Sequence, residues 1–542
     1  MRRRSGRVKA GALSRISAHR RRPFLAALVG LAVTASPAMG QGLQPNRAYA
    51  PAAPAGMPPV PAAAEGKAIK LTLPEAVYLG LRQNRQIRSA YLQRVVDKYN
   101  LLLAENEFRP QGSIVAGYSV QRTGSLKVPP DVVASGGGGA TGNTYRSSAT
   151  VTPTVTLKSP IGTTLGLTWS NNQAAARGTL PGQRSGGQTL TLSVIQPLLR
   201  GAGYDAATAG LRIARIQERA AQVQLKARVA DTVTQIIGAY HQFIAAQQRV
   251  GIARAAVKRA YDLQATNQAL IQAGRMAEAE LVQSQSTVAS QELARISAEN
   301  AFDSARLQLV TLLALDPHTR IEPADTLSAE PVRIDFEAVR AIAFDSRPDH
   351  LGQLLAIETA RIAQAQAENQ RLWDLSATGS VSVPTSGRSE REALELMGRS
   401  RTNLGAGLQL VIPLNDLPQR QAVVSATTQV RQSELQLEQL RAQIEQDVRD
   451  AVRNVDTLWR QYKLAKQAHE LTVKKLEIEN AKLRAGRTTN FQVVSFQNEL
   501  RQAEVIELEA MISYLNALVA LDQRLGTTLD TWQIQLNDPE AP

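Results

Sequence analysis

The feature that most constrains this chain is an internal duplication marked by two Ala-Gly-Arg breaks. A long helical pattern over residues 205–272 ends at Gly274, and a second over residues 419–483 ends at Gly486. Shorter helical patterns follow the breaks, at 276–315 and 488–525. The long patterns have about 68 and 65 residues and the shorter ones about 40 and 38, so a tandem repeat is the simplest explanation.

Each copy also begins with a helical pattern followed by strand-like sequence. The elements preceding the hairpins are a helix at 74–108 with strands at about 111–197, and a helix at 336–372 with strands at about 375–413. The predicted organisation is a first repeat at 71–317 with its helical hairpin at 205–315, a linker at 318–335, a second repeat at 336–528 with its hairpin at 419–525, and a C-terminal tail at 529–542.

The long helices carry a narrow apolar stripe, which is typical of coiled coils and not of compact globular cores. In the second one, apolar residues recur mostly every three or four positions from Val430 to Tyr462, between charged and Gln residues. A helix of about 65 residues extends roughly 100 Å. Because glycine tolerates the left-handed conformation that ends a helix, we expect each long helix to turn back at its Ala-Gly-Arg.

The strand-like segments alternate apolar and polar residues, and most are about 8–11 residues long, as in membrane-crossing strands. Gly- and Ser-rich stretches at 135–140 and 171–188 are interpreted as exposed turns. The first copy holds more strand-like sequence than the second, at 146–170, and turn residues at 159–162 divide it, which leaves open an additional hairpin at the rim or the equator of a barrel. Four to six strands cannot close a barrel alone, and an open edge in lipid leaves backbone groups unpaired. If the strands cross a membrane, several chains must therefore share one barrel.

The N-terminus resembles an export signal. Nine basic residues precede a short apolar run at 24–33, and small residues lead to a plausible cleavage site after Gly40, which predicts a signal peptide at 1–40. A Pro/Ala-rich linker follows at 41–70. Without the nine positive charges, the formal net charge falls from +15 to about +6, so no nucleic-acid partner is needed.

No enzyme signature is found. The chain has no cysteine, and its five histidines do not pair at metal-ligand spacing, so we expect neither a metal nor a catalytic site. Residues 201–206 match a GxGxxA fingerprint, but the helix that follows is not part of a strand–helix–strand unit. The sequence therefore predicts no cofactor.

The signal peptide, the duplicated order, the Gln196-Pro197-Leu198 that closes the first strand region and the Ala-Gly turns together resemble the TolC-type outer-membrane factor family, also called outer membrane efflux proteins. The resemblance covers about residues 70–528. It implies a mainly α fold with β, namely a homotrimer with a shared outer-membrane β-barrel and a long periplasmic coiled-coil tunnel. It also implies a bacterial outer-membrane exit duct, in contact with outer-membrane lipid, that works with a periplasmic adaptor and an inner-membrane transporter.

The resemblance also suggests site residues. The hairpin tips would contact the adaptor, and they comprise Ala273, Gly274, Arg275, Ala485, Gly486 and Arg487. Some family members carry aspartates six and nine residues after the second tip glycine, where this chain has Gln492 and Ser495. Glu280 holds the sixth position of the first copy. These three residues are the candidate periplasmic pore entrance.

Two uses of the duct stay open, namely efflux of small molecules and type I protein secretion. A soluble periplasmic coiled-coil scaffold or adaptor protein is the alternative from another class. Its long hairpins would fit, whereas the duplicated strand pairs would not.

Overall fold

The computed structural model describes residues 69–123, 144–177, 183–387 and 402–536, all within one compact unit. The predicted signal peptide, nearly all of the linker at 41–70, the Gly-rich stretch at 135–140 and the end of the tail lie outside the described residues.

The helices confirm the duplicated order of elements. In the first copy they are α1 Leu73–Gln83, α2 Arg85–Asn106, the short α3 Tyr204–Ala207, α4 Ala209–Gln272 and α5 Ala279–Leu312. In the second copy they are α6 Phe336–Ser346, α7 Pro348–Gln370, α8 Leu417–Arg484 and α9 Asn490–Leu525, followed by α10 Thr528–Thr531. The long helices α4 and α8 have 64 and 68 residues, and the return helices α5 and α9 have 34 and 36.

The first helix of each copy is broken where the sequence analysis expected continuity. Asn84 separates α1 from α2, because its extended backbone lets its side chain accept hydrogen bonds from the N–H groups of Gln86 (2.8 Å) and Ile87 (3.3 Å). Arg347 separates α6 from α7 at the corresponding place but for a different reason, because the residue before a proline, here Pro348, disfavours the helical conformation.

The strands form two sheets. A small parallel sheet pairs β1 (Ile69–Leu71) with β6 (Ile321–Pro323). The large sheet is antiparallel and has the order β2-β3-β4-β5-β7-β8, with strands β2 Gln111–Thr123, β3 Thr144–Lys158, β4 Thr164–Arg177, β5 Gln183–Pro197, β7 Asp374–Gly387 and β8 Asn403–Val411. Five of these six strands have 13 to 15 residues, so the expected length of 8–11 was too short. Much of the stretch interpreted as a turn at 171–188 belongs to β4 and β5.

The helices pack side by side, and the long helices α4 and α8 contact both the helices near the tips and those near the large sheet. In the part nearer the tips the order of contacting helices is α5, α4, α9 and α8, and in the part nearer the large sheet it is α2, α4, α7 and α8. None of the described helices is both long and apolar enough to cross a membrane.

The main apolar core lies where α1, α2 and α5 pack against the middle of α4. Ile236, Ile237 and Phe243 of α4 are completely buried there. The Tyr240 hydroxyl lies 2.7 Å from the carbonyl oxygen of Leu71 and 2.8 Å from a carboxylate oxygen of Asp325. Burial and the nearby carboxylate raise the pKa of Tyr240, so its hydroxyl stays protonated and fastens the small sheet to α4.

Candidate functional site

The two hairpin tips have the same backbone geometry. α4 ends in Gly274, whose φ of +70° lets the N–H of Arg275 donate to the carbonyl of Leu270 (2.9 Å). After α8, Gly486 has a φ of +68°, and the backbone N–H of Arg487 donates to the backbone carbonyl of Lys482 (2.9 Å). This six-to-one hydrogen bond around a left-handed glycine ends a helix without leaving its last carbonyls unpaired.

The tips lie side by side and are open to solvent. A Cβ atom on Gly486 would lie 3.4 Å from the Arg275 guanidinium, so the first tip rests against the second. All six tip residues singled out from the sequence are exposed. The tips therefore offer one continuous surface that carries two arginines.

The three candidate entrance residues differ in their surroundings. Glu280 in the first turn of α5 is half-buried and accepts a hydrogen bond from the side-chain amide of Asn490 (3.1 Å). Gln492 is half-buried in the first turn of α9, where its backbone N–H donates a hydrogen bond to the Thr489 hydroxyl (3.4 Å). Ser495 is exposed. Glu280 thus has a partner from the second copy, which the sequence analysis did not foresee.

A buried polar cluster behind the tips was also missed. The Asn267 side-chain amide donates to the Ser284 hydroxyl (2.7 Å) and to the Asn490 side-chain oxygen (2.8 Å), and all three residues are buried. Asn267 lies one helical turn after the buried Leu263, so a polar residue at a core position was the available signal. Through Asn490 the cluster continues to Glu280 and joins the two hairpins.

Farther from the tips, the junction between the two hairpins consists of polar side-chain pairs between α4 and α9. Arg259 makes two hydrogen bonds with Glu504, of 3.1 and 2.9 Å. The further pairs are Arg249–Glu509 at 2.9 Å, His241–Asn516 at 2.8 Å and Asp231–Gln523 at 2.8 Å. Side-chain pairs along so much of α4 fix the register of the two copies.

In the part nearer the helices, the large sheet has one apolar and one polar face that run across all six strands, whereas farther out the apolar side carries Asn171, Gln188 and Thr385. Because partners in register share a face and neighbours in a strand alternate, the faces can be traced from the pairing. One polar row consists of Ser113, Thr154, Thr168, Thr191, Ser382 and Asn403. The adjacent row on the opposite face consists of Gly112, Val155, Leu167, Leu192, Val381 and Leu404.

In the single chain, many side chains on the apolar face are exposed. The exposed fractions are 42% for Val155, 44% for Leu167 and 80% for Leu404. An apolar surface of this extent is typical of contact with lipid or another protein. The opposite face carries mainly Ser, Thr and Gly, which suits contact with water.

The glycines of the GxGxxA fingerprint form a bend between a strand and a helix. Gly201 and Gly203 take positive φ values of +80° and +88° at the bend between β5 and α3, and the N–H of Gly201 donates to Asn369. In the described parts of the chain no three His, Cys, Asp or Glu side chains form a group that could hold a metal ion.

Comparison with known proteins gives a domain match within the second copy of the repeat. Residues 343–527 match the family model described as outer membrane efflux protein. Protein CyaE of Bordetella pertussis is 27% identical over 237 residues, which cover 44% of this chain and 49% of that protein. The chain therefore spans about half the length of this curated relative in the alignment.

Solved structures show the same fold over most of the chain. CusC, described in terms of transmembrane channel formation, has a TM-score of 0.62 at 15% identity and covers 84% of this chain and 92% of its own. The Campylobacter jejuni CmeC outer membrane channel has a TM-score of 0.62 at 14% identity, with 89% and 95% covered. The open state of the Neisseria gonorrhoeae MtrE outer membrane channel has a TM-score of 0.61 at 16% identity, with 84% and 89% covered. Residues 343–527 are therefore similar to the outer membrane efflux protein domain, and the chain as a whole shares the fold of these outer membrane channels over 84–89% of its length.

Proposed function

We propose that three copies of this chain form an outer-membrane channel that serves as the exit duct of a tripartite efflux pump or a type I secretion system. The large sheet crosses the outer membrane with its apolar face toward lipid, and the helices extend into the periplasm. Conduction is passive, and a transporter in the inner membrane supplies the driving energy.

The observation that carries this proposal is that both layers of the single chain end in unpartnered apolar edges. Helix α2 at one edge exposes Leu92, Val96, Tyr99 and Leu103, which repeat every three or four residues. Helix α8, the other edge, exposes Leu464, Leu471 and Ile478 at intervals of seven near the tips, where the opposite edge is α5 with its exposed Val282, Leu293 and Ile296. Such spacing is typical of a coiled-coil seam. Strands β2 and β8 are the matching edges of the sheet.

Closure of the chain on copies of itself covers both kinds of edge at once. An open sheet edge in lipid costs several kcal/mol for each unpaired backbone group, so a membrane-crossing sheet must find a partner. The edge helices require the same, because exposed leucines in a regular stripe gain about 1.5–3 kcal/mol each on full burial. A ring of identical chains satisfies both requirements with one repeated interface.

The tips are the proposed docking surface for a periplasmic adaptor. Arg275 and Arg487 point to an acidic or carbonyl-rich partner surface, and the adjacent glycine backbones allow close approach. Their positions at helix C-termini also explain them without any partner, because a cation there offsets the helix dipole. Arg275→Glu with Arg487→Glu separates these roles, since charge reversal should abolish cross-linking to the adaptor while the trimer persists.

Glu280, Gln492 and Ser495 are the proposed entrance from the periplasm. In a trimer Glu280 contributes three carboxylates at one level, and such a ring favours cations. Glu280→Gln should therefore reduce the cation selectivity of the reconstituted pore, measured as the reversal potential in a salt gradient. The isosteric amide retains an oxygen acceptor for Asn490, so an unchanged reversal potential would exclude Glu280 from the entrance.

The decisive experiment is the native mass of the protein after detergent extraction from isolated outer membranes, followed by conductance in planar bilayers. A trimer that forms ion-conducting pores is expected. A monomer or dimer recovered from the soluble periplasmic fraction would contradict the channel and favour a coiled-coil scaffold.

A further inference from the structure

The β3–β4 hairpin has no counterpart in the second copy, yet it lies inside the large sheet. It stands between β2 and β5, with β3 paired to β2 over thirteen residue pairs from Gln111↔Thr156 to Thr123↔Thr144. β4 is paired to β5 from Thr164↔Ile195 to Ala176↔Gln183. Two strands from each copy of the repeat would give four strands per chain, whereas the described chain has six in one sheet.

The hairpin shares the two faces of the rest of the sheet. On β3, Thr150, Thr152, Thr154 and Thr156 lie on the polar face, and Val151, Val155 and Leu157 alternate with them on the apolar face. Thr154 belongs to the same polar row as Ser382 of β7, and Val155 belongs to the same apolar row as Val381. An accessory hairpin lying within the lumen or in the periplasm would not need a lipid-facing side.

The base of the hairpin is fastened to the helical end of the sheet. Its turn closes with a 2.7 Å hydrogen bond from the Ser159 N–H to the Thr163 carbonyl, and Gly203 donates to the carbonyl of Ile161 over 3.3 Å. The Lys158 ammonium group lies 2.5 Å from the carboxylate of Glu107, which lies between the end of α2 and the start of β2. The chain segments next to β2 and β5 therefore both contact the hairpin at or next to its turn.

Six strands per chain also suit closure. Successive strands of the sheet are antiparallel, so with an even number the two edges β2 and β8 run in opposite directions. The β8 edge of one copy therefore pairs antiparallel with the β2 edge of the next, as all-antiparallel barrels with an even strand number require. The partner that fits the open edges is a second copy of this chain.

We propose that the trimer closes an eighteen-stranded barrel, with the β3–β4 hairpin of each chain as part of its wall, and that its lumen admits bulky hydrated solutes such as polypeptides. This inference rests on the proposed function, because the number of copies comes from it. With strands about 4.8 Å apart and tilted by about 40°, eighteen strands give a backbone diameter of about 36 Å and twelve give about 24 Å. After side chains are allowed for, the lumens are roughly 25 Å and 14 Å wide.

The polar face suits such solutes. Its central rows carry hydroxyl groups and glycines, and the charged side chains on it in the described strands lie near the strand ends, at Arg146, Lys158 and Asp374. A wide, nearly uncharged wall provides neither a size filter nor a charge filter for small solutes. Any selection then occurs at the helical end of the channel.

The first test places single spin labels on the two faces. The chain contains no cysteine, so Thr154→Cys and Val155→Cys can be labelled in the full-length protein, reconstituted in lipid, with Ser382→Cys and Val381→Cys as matched controls from the same rows. Labels at 155 and 381 should be relaxed more by lipid-soluble oxygen, and labels at 154 and 382 more by a water-soluble nickel chelate.

The outcomes separate this inference from the proposed function. If 381 and 382 alternate but 154 and 155 do not, the hairpin lies outside the wall and the eighteen-stranded barrel is wrong while the channel stands. If neither pair alternates, the sheet does not cross the membrane and both proposals fail.

The second test measures the width. Thr154→Cys in the trimer is treated with polyethylene glycol maleimides of increasing hydrodynamic diameter, and the mass shift is read on a gel. Reaction should continue up to reagents about 25 Å across, against about 14 Å for twelve strands. A cut-off near the smaller value would overturn the wide lumen. Ser382→Cys provides the same measurement at a strand that both barrels contain.

Discussion

The long helices α4 and α8 are counterparts in the duplication, yet they are buried to very different extents. Aligning Gly274 with Gly486 pairs each α4 residue with the α8 residue 212 positions later. The structure buries 21 side chains of α4 and only 9 of α8. Ile236 and its counterpart Val448 are both fully buried, whereas Ile237 is fully buried and its counterpart Arg449 is exposed.

The difference follows from the position of each helix in the layer. α4 has α2 and α5 on one side and α7 and α9 on the other, so it carries two apolar faces. α8 packs against α6, α7 and α9 and ends the layer, so the second face of its middle part carries charges such as Arg449 and Asp456, and the exposed apolar stripe begins only further toward the tip, at Leu464. The two copies therefore share the long helix and the apolar face that both helices bury. Whether the second face is apolar or charged depends on which helices pack against it.

The largest expected effect comes from exchanging the residues of this second face. Ile237→Arg places an unpaired charge in the main core and should prevent folding, because desolvation of a buried charge exceeds the marginal stability of most domains. Arg449→Ile should cost only about 1 kcal/mol, since it loses a surface pair with Glu445 (3.1 Å) and a contact with the Phe336 ring. Yield and thermal unfolding of the two variants measure the contrast, and equal losses would contradict the assignment of the two faces.

The second prediction concerns the exposed stripe of α8. Leu471→Glu combined with Ile478→Glu should abolish the trimer, because the double change removes about 3–6 kcal/mol of apolar burial per interface and adds like charges. Both residues are more than half exposed in the single chain, so secondary structure should survive.

The control for the stripe is Tyr261→Glu in α4, which changes an exposed apolar residue of similar accessibility (50%) away from the edge of the layer. Native mass in detergent and circular dichroism are the measurements. Persistence of the trimer in the double variant would show that α8 is not at the interface between chains.

Because the elements are repeated, the overall architecture could be predicted from the sequence, whereas the contacts between elements far apart in the chain could not. The tip glycines stood out because an Ala-Gly-Arg break recurs, and both take the left-handed conformation expected of them. The breaks at Asn84 and Arg347 were missed because a single side-chain cap or a single proline interrupts an otherwise regular pattern. The full strand lengths were missed because Gly- and Ser-rich stretches in β4 and β5 are typical of turns but also suit the wall of a water-filled barrel.

The candidate site was only partly predictable for the same reason. The apolar period shows that Asn267 occupies a core position, but its partner Asn490 lies 223 residues away in the chain. No local pattern relates the two. Once the hairpins pack, desolvation requires Asn267 to find partners, and the only way to identify them is to know which helix faces α4 at that level.

The third prediction compares Asn267 with its repeat counterpart Glu479. Both are buried, but Asn267 joins the two hairpins, whereas Glu479 accepts hydrogen bonds from Thr488 and Lys482 of its own hairpin. The bond from Thr488, followed by that from Lys482, lowers the pKa of Glu479, so the carboxylate stays ionised. Asn267→Ala should cost about 1–3 kcal/mol by leaving Asn490 unsatisfied.

Hydrogen exchange at the tips distinguishes these two roles. Asn267→Ala should speed exchange in both hairpins near the tips, and Glu479→Gln should speed it only near the turn of the second hairpin. Faster exchange confined to the first hairpin in Asn267→Ala would show that the amide cluster does not couple the two copies.

The smallest expected effect concerns His241, whose counterpart on the charged face of α8 is Arg453. His241 is 6% exposed and its Nδ1 lies 2.8 Å from the Asn516 side-chain oxygen. Burial lowers the pKa of His241 below its usual 6.5, with the hydrogen bond to Asn516 acting in the opposite direction. Below about pH 6.5 the unfolded chain therefore binds a proton that the folded chain does not, so this residue's contribution to stability is present at neutral pH and is lost as the pH falls, by at most about 1.4 kcal/mol per pH unit.

His241→Gln should lower the unfolding temperature at pH 7.5 but reduce its further drop on acidification to pH 5.5, because glutamine does not titrate. Arg453→Gln should leave the pH dependence unchanged, since arginine stays charged throughout this range. If His241→Gln and the parent lose the same stability on acidification, the proton is taken up elsewhere, and the buried face of α4 and the charged face of α8 do not differ in their response to pH.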